Sequence, residues 1–515
     1  MNQERIAALH SRYNPQAEAE RYIGSLALNE KTRFFILIEP GLGYMIAPLK
    51  KKVPGAKIIT LHAAKPEAQV PPDAPTFSQT IPAPEPSDAD WYPGTGISIQ
   101  DFLEREIPDS IAAEIRILEW RPALAVYGNS YLALVQETAE FIKRSDANAR
   151  TLEAFGQRWF RNFFKNLEII KKVLCPVPLS MPLIVTCAGP GLEDAIPLIR
   201  SLAGDSKEKT ERDSFFVLAV SSSAAALHAA DIVPDMVIST DGGQWAAFHL
   251  LDICRYTHQS DASGAYSCRL AAALTAALPS GCEKMPVLPI SDGSLWQTLV
   301  LKELNIPFIV LPQRGTVSAA ALDLAFVLTR GDIFIAGLDL ENRDIRSHAR
   351  PYSFDRFLEE KAGKLDPVYS QAFRRSSLLK AGGSYGIYAS WFEKQLAAYP
   401  KRLFSLGKNN RVFSSLGKST LNLAPNKVPM VQHEPRTNGT TRTFQTITLE
   451  FTDNPARKAY AVLEKALKDP VHSAALRAEL SPLLSGGNFS SMEPGELIEA
   501  LRSPAATRQG EASHG

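Results

Sequence analysis

The 515-residue sequence lacks the features that announce several protein classes. It has only five cysteines, Cys175, Cys187, Cys254, Cys268 and Cys282, an odd number without CxxC spacing. That excludes a disulfide framework or a thiolate zinc site as an organising element and predicts reduced thiols. No apolar run approaches the roughly 18 uncharged residues that a membrane-spanning helix requires. The polar opening MNQERIAALHSRYN has no apolar centre of the signal-peptide kind, so a cytoplasmic location is expected. Neither sign of charge is in excess, since 56 basic and 55 acidic residues leave a formal net charge of +1. Nothing general therefore draws the chain to nucleic acid or to an anionic membrane. No internal repeat is visible.

What is present is ordinary globular composition, 45% hydrophobic and 22% charged. The length predicts about two to four domains. The first part reads as a polar helix, an apolar strand at 34–38, a turn at Glu39-Pro40-Gly41-Leu42-Gly43, a short helix, and a second strand at 57–61. The paired glycines could belong to a nucleotide loop of methyltransferase type, but no acidic strand end follows, and they are read as a turn. Eight prolines between Lys65 and Pro93 predict a connector rather than sheet. Ser98 is placed to cap a helix. Residues 130–175 are mainly helical, and Trp159, Phe160, Phe163, Phe164 and Leu167 recur at helical spacing, which predicts core packing.

From residue 181 the rhythm changes. Short apolar runs at 183–187, 215–220, 236–240, 287–290, 308–311 and 333–336 alternate with helical patterns, the signature of a mainly parallel sheet with helices on both faces. The expected architecture is thus α/β. It has a small α/β amino-terminal domain (1–125), a helical connector (126–178), a central Rossmann-like domain (179–425), and a helical carboxyl-terminal region (426–515) ending in a disordered tail.

Ligands of such sheets lie beyond the carboxyl ends of the strands, so the strand exits are the candidate site. The first central strand leaves through Gly189-Pro190-Gly191, where backbone amides at a helix start can approach a phosphate. The second leaves through Ser221-Ser222-Ser223, hydroxyls suited to capping or to a ribose or base. The third leaves through Thr240-Asp241-Gly242-Gly243, a carboxylate able to take sugar hydroxyls or to close a turn. Arg314, Gly315, Thr316 and Ser318 stand at another helix start, where the arginine can pair with an anion or remain on the surface. Asp339 follows the strand at 333–336, and His348 follows in a polar loop, able to accept a hydroxyl proton near neutral pH.

Taken in order, CAGPGLEDAIPLI, FFVLAVSSSAAALHAADIVPDMVISTDGG, RGTVSAAALDLAFVLTRGDIFIAGLDL and SHA resemble the central domain of motility-associated factor glycosyltransferases. That domain also resembles the archaeal pterin diphosphokinase-like family and, distantly, bacterial sialyltransferases. The likeness covers about residues 180–350, with TLEAFGQRWFRNFFKNLEII and EPGLGYMIAPL similar to the regions that precede it.

The resemblance implies a nonulosonic acid carried on CMP as donor substrate, and serine or threonine of flagellin or another filament protein as acceptor. It puts Gly189, Pro190 and Gly191 near the phosphate, Ser221 and Ser222 near the ribose or base, and Thr316 and Ser318 near the cytidine. Asp339 would organise the floor and His348 would act as base. The family commonly carries serine where this chain has Gly191. No cofactor is required, although magnesium is allowed. Two other readings stay open: a magnesium-dependent pterin diphosphokinase using Asp241 and Asp339, and a sugar- or partner-binding protein of weak catalytic power.

Overall fold

In the computed structural model, the described residues are 9–503, except for 12, 29–31, 66–84, 108–114, 180, 204–214, 260–267, 382–384, 386–387, 390, 394–401, 407–443, 485–488 and 490. The expected disordered tail, and most of the proline-rich stretch, lie outside them. The chain divides into two compact units, Met1–Gly156 and Gln157–Gly515, and the division falls inside the helix Asn129–Ile169.

In the first unit, strands β1 (Phe34–Ile38) and β2 (Lys57–Leu61) are apolar on both faces and therefore occupy the middle of a sheet. Strands β3 (Ala89–Trp91) and β4 (Ile115–Glu119) complete it in the order β3-β2-β1-β4, all parallel. β3 corrects the expectation of a connector without sheet. It is an edge strand of three residues between Pro86 and Pro93, where missing donors are tolerated. Ser98 caps the helix Ile99–Glu106 as expected, its Oγ accepting from the Asp101 amide at 3.1 Å.

The Gly41–Gly43 loop leaves β1 and is a turn. The Leu42 amide donates to His10 Nε2 at 3.0 Å, and a Cβ on Gly41 would collide with that imidazole. The loop is filled by the chain's own histidine, which stacks on Trp120 and meets Tyr44 edge-on.

The second unit is built on a ten-stranded sheet. Its strands are β5 (Lys172–Leu174), β6 (Leu183–Thr186), β7 (Phe216–Val220), β8 (Met236–Ser239), β9 (Arg269–Ala273), β10 (Val287–Ser291), β11 (Ile309–Val310), β12 (Ile333–Ala336), β13 (Leu403–Leu406) and β14 (Thr446–Thr448). The spatial order is β13-β12-β6-β7-β8-β9-β10-β5-β14, with β11 also on β10, and every pairing is parallel except β14 on β5. From β6 the chain steps outward through β7, β8, β9 and β10. It then returns over the sheet by the helix Val317–Leu328, which packs on β6, β7 and β8, and enters β12 on the other side of β6. The strand order therefore reverses between β6 and β12, and there the loops leaving the two strands separate to form a crevice.

Four strands of this sheet fall where none was expected, and β5 is one of them, at the end of the stretch read as mainly helical. β9, with the sequence RLAAA, has no β-branched residue, but β8 and β10 bond it on both sides. β14 lies in the stretch expected to be helical, and β13 is four residues long.

The expected aromatic stripe is core. Phe160, Phe163 and Phe164 are buried, with Trp296 within 5.3 Å of the first two and Tyr460 stacked on Phe164 at 3.8 Å. The same helix end turns polar atoms to the sheet rim: Asn162 donates to the carbonyls of Gly242 and Thr275, and buried Asn166 to those of Leu274 and Ala276. These bonds fix the turns that follow β8 and β9.

The helices Pro455–Lys468, Ser473–Leu480 and Pro494–Arg502 form the carboxyl-terminal part. From the second of them, Glu479 accepts from the amides of Leu295 and Trp296, capping the helix Leu295–Glu303 from outside. Burial pushes the Glu479 carboxyl upward, and the two amides oppose that shift. Glu479→Ala is expected to cost about 0.5–2 kcal/mol, the usual value of a cap, read as a lower urea midpoint by tryptophan fluorescence. An unchanged midpoint would show that water replaces the carboxylate without loss.

Candidate functional site

The loops leaving β6 and β12 pack closely, glycine backbone of one against backbone of the other and against the Asp339 carboxylate. Gly337 has φ +68°, and a Cβ there would stand 2.5 Å from the Cys187 carbonyl oxygen. A Cβ on Gly189 would stand 2.5 Å from Asp339 Oδ2, and one on Gly191 would stand 2.5 Å from Asp339 Oδ1. Real Cβ atoms do not approach so closely, so these positions take glycine because the Asp339 carboxylate fills the space. Serine has no room at 191 while Asp339 lies there, which gives a physical reason for the departure from the family pattern.

The Asp339 carboxylate accepts from the Gly191 amide at 2.5 Å. Burial raises its pKa above the ordinary aspartate value. The Gly191 N–H opposes the shift, and the Glu341 carboxylate adds to it. The Gly189 amide donates to the Gly337 carbonyl, and those of Leu192 and Glu193 to Gly189 and Pro190. In this arrangement each of these amides has an internal acceptor. The phosphate contact expected of the Gly189–Gly191 loop therefore needs Asp339 to release Gly191.

The segment after β12 folds back over the start of the helix Leu192–Ala203. Arg343 pairs with Asp194 at 2.6 Å and Arg346 with Glu193 at 3.0 Å, while the Ala349 amide donates to the Ala188 carbonyl at 2.8 Å. His348 is thereby held beside the residue that precedes Gly189. Its Nδ1 is 2.8 Å from Ser347 Oγ, and its ring stacks on Tyr352 with centroids 4.2 Å apart.

The remaining candidates divide between this crevice and its margins. Ser318, at the start of the helix Val317–Leu328, lies beside the Cys187 thiol; burial pushes that thiol up to about 12 and so keeps it protonated, and Ser318 opposes the shift. Thr316 begins that helix with its carbonyl, accepting from Ala319 and Ala320. Gly315 accepts from the Tyr388 hydroxyl at 3.0 Å, and Arg314 pairs with Asp323 while lying over Trp391. That pairing ties the arginine to its own helix. Ser221 is buried and Ser222 partly so. Ser223 bridges the second exit to the first, donating to the Thr186 and Val220 carbonyls. Thr240 is partly buried. Asp241 is exposed and closes its turn by accepting from the Gly243 amide at 2.7 Å.

One set of rings escaped the sequence reading. Trp245, Phe248 and His249 follow the β8 exit; Tyr352, Phe354 and Phe357 follow His348. They interlock: His249 and Phe354 are 4.8 Å apart, Tyr352 and Phe354 5.1 Å, Trp245 and Phe357 4.5 Å. The signal available in advance was aromatic residues just beyond two strand exits.

Among the described residues no group of three or more histidine, cysteine, aspartate or glutamate side chains could hold a metal, and no helix is long and apolar enough to cross a membrane. The parallel sheet, the reversal in strand order and the glycine-lined exits define a Rossmann-like α/β domain. Residues 157–344 match the family model described as 6-hydroxymethylpterin diphosphokinase MptE-like, a family that the sequence resemblance also named. A Treponema pallidum (strain Nichols) protein described as uncharacterized is 28% identical over 300 residues, which is 58% of this chain and 61% of the relative. The solved structure of a Maf glycosyltransferase from Magnetospirillum magneticum AMB-1 is similar over 64% of this chain and 56% of that one, with 13% identity and a TM-score of 0.38. The chain thus spans about three fifths of the length of each.

Two predictions follow from the Asp339–Gly191 contact. Gly191→Ser is expected to lower stability by about 1–3 kcal/mol through crowding. Combined with Asp339→Ala it should cost less than the sum of the two changes, with a coupling on the order of 1 kcal/mol in a double-mutant cycle; strict additivity would contradict the contact. Asp339→Asn keeps an acceptor for Gly191 but removes the charge. Because the folded-state pKa is raised, the wild type is free of penalty below the unfolded value and loses stability as pH rises through the folded one. The melting temperature of the variant relative to wild type should therefore climb as pH rises above the unfolded aspartate value of about 4. A constant difference over that rise would show that no buried charge is involved.

Proposed function

We propose that the Rossmann-like domain is the catalytic part of a glycosyltransferase. It moves a nonulosonic sugar from a CMP donor to serine or threonine of flagellin or another filament protein. The observation that carries this reading is the meeting of the Gly189–Gly191 loop, Asp339, Ser318 and His348 around one pair of strand exits, with Ser223 holding the Ser221–Ser222 exit to the same edge. The acceptor hydroxyl attacks the anomeric carbon as the CMP phosphate departs with the bonding electrons, and His348 takes the hydroxyl proton. Ser347 and Tyr352 fix the imidazole plane. Asp339 acts as a positioning residue that yields the Gly191 amide to the donor phosphate. Its raised pKa lessens the charge that the phosphate must meet.

The diphosphokinase alternative needs Asp241 and Asp339 on a shared magnesium. Their strands, β8 and β12, have β6 and β7 between them, a separation of about 14 Å at the usual strand spacing. Asp241 and Asp339 are also already engaged with Gly243 and Gly191.

Calorimetric titration tests the proposal. CMP should bind without added metal, and magnesium-dependent binding of ATP in its place would overturn the reading. His348→Ala should keep CMP affinity within about threefold while slowing sugar transfer by about a hundredfold or more, followed by the intact mass of the filament protein made with and without the chain. Equal transfer by the variant would remove His348 from the mechanism.

A further inference from the structure

We infer that Trp245 and Phe248 form a platform for a pyranose ring, a carbohydrate subsite beside the reacting centre. The two residues are 46% and 40% exposed, although neighbouring residues of the same segment, Ala246 and His249, are buried. Their rings are nearly parallel, with an interplanar angle of 22° and centroids 5.6 Å apart. Phe357 lies against Trp245 at 4.5 Å, and Phe354 touches both rings edge-on. The support is fixed in turn, because Asn162 holds the Gly242 carbonyl and Asp241 the Gly243 amide. Half-exposed tryptophan and phenylalanine rings on a hydrogen-bonded turn at a strand exit are apolar area that a ligand would remove from water.

The polar surroundings select the ligand. Asp241 and Gln244, exposed in the same turn, supply a carboxylate acceptor and an amide that both donates and accepts. A sugar ring matches that pair of surfaces, because its axial C–H bonds meet the electron-rich aromatic face while its hydroxyls reach outward to the polar rim. An apolar peptide side chain would leave the carboxylate and amide without a task. The rings continue from Trp245 through Phe354 and Tyr352 to His348. The subsite thus lies on the same wall as the candidate base, two rings removed from it. The inference rests on the glycosyltransferase reading for its biological sense, but its geometry is independent of the donor nucleotide.

Saturation-transfer NMR on the full chain tests it with two probes, N-acetylneuraminic acid and N-acetylglucosamine. Ring C–H protons of at least one should be saturated by the wild type. The effect should fall about fivefold or more in Trp245→Ala and in Phe248→Ala, and return in Trp245→Phe. Each variant is checked by melting; should Trp245→Ala fail to fold, Phe248→Ala and Trp245→Phe decide the matter. The subsite is overturned if neither sugar is saturated, if the alanine variants match the wild type, or if only a serine-rich peptide gives the effect. A parallel CMP titration separates the two ideas. CMP binding with no platform effect sinks the subsite alone, whereas a platform effect without CMP binding sinks the donor assignment alone.

Discussion

A buried carboxylate lying against backbone that carries no side chain joins the two halves of the large sheet's rim. Asp339 leaves β12, reaches the start of the helix after β6, and accepts from the Gly191 amide. Gly189, Gly191 and Gly337 are the residues that let the exits close to this distance. Burying a carboxylate is unfavourable unless its charge is met by hydrogen bonds, and the raised pKa of Asp339 records how incompletely one amide meets it. Such a bond is specific enough to organise the crevice.

The surrounding contacts serve that junction. Glu193 and Asp194, in the first turn of the helix after β6, draw Arg343 and Arg346 across from the loop after β12. These pairs are partly or largely exposed and each contributes little alone. Together with the Ala349–Ala188 bond they decide where His348 sits. On the other side, Ser223 ties the β7 exit to β6, and Asn162 and Asn166 hold the turns after β8 and β9. The strands thereby present loops from several exits along one edge, the arrangement that parallel sheets impose.

The apolar wall running from His348 to Trp245 brings together segments about a hundred residues apart in sequence. The amino-terminal unit shows the opposite outcome. Its β3-β2-β1-β4 order and paired glycines belong to the same structural vocabulary, yet His10 fills the loop from within the chain.

By itself the sequence determined the α/β class, because strands buried on both faces must be continuously apolar, as at β1, β2, β6, β7, β8 and β12. It also pointed to the strand exits as the candidate positions, Gly189, Gly191, Asp339 and His348 among them, because ligands of parallel sheets lie beyond the carboxyl ends of the strands. Tertiary structure alone decided the strand status of Ala-rich β9 and of the short strands β3, β13 and β14, which gain their hydrogen bonds only from neighbours already in place. It decided that the loop amides after β6 are engaged and that Asp339 excludes a side chain at 191. It also assembled the aromatic wall. These outcomes depend on distances between residues remote in the chain, and local propensity and spacing carry no information about them.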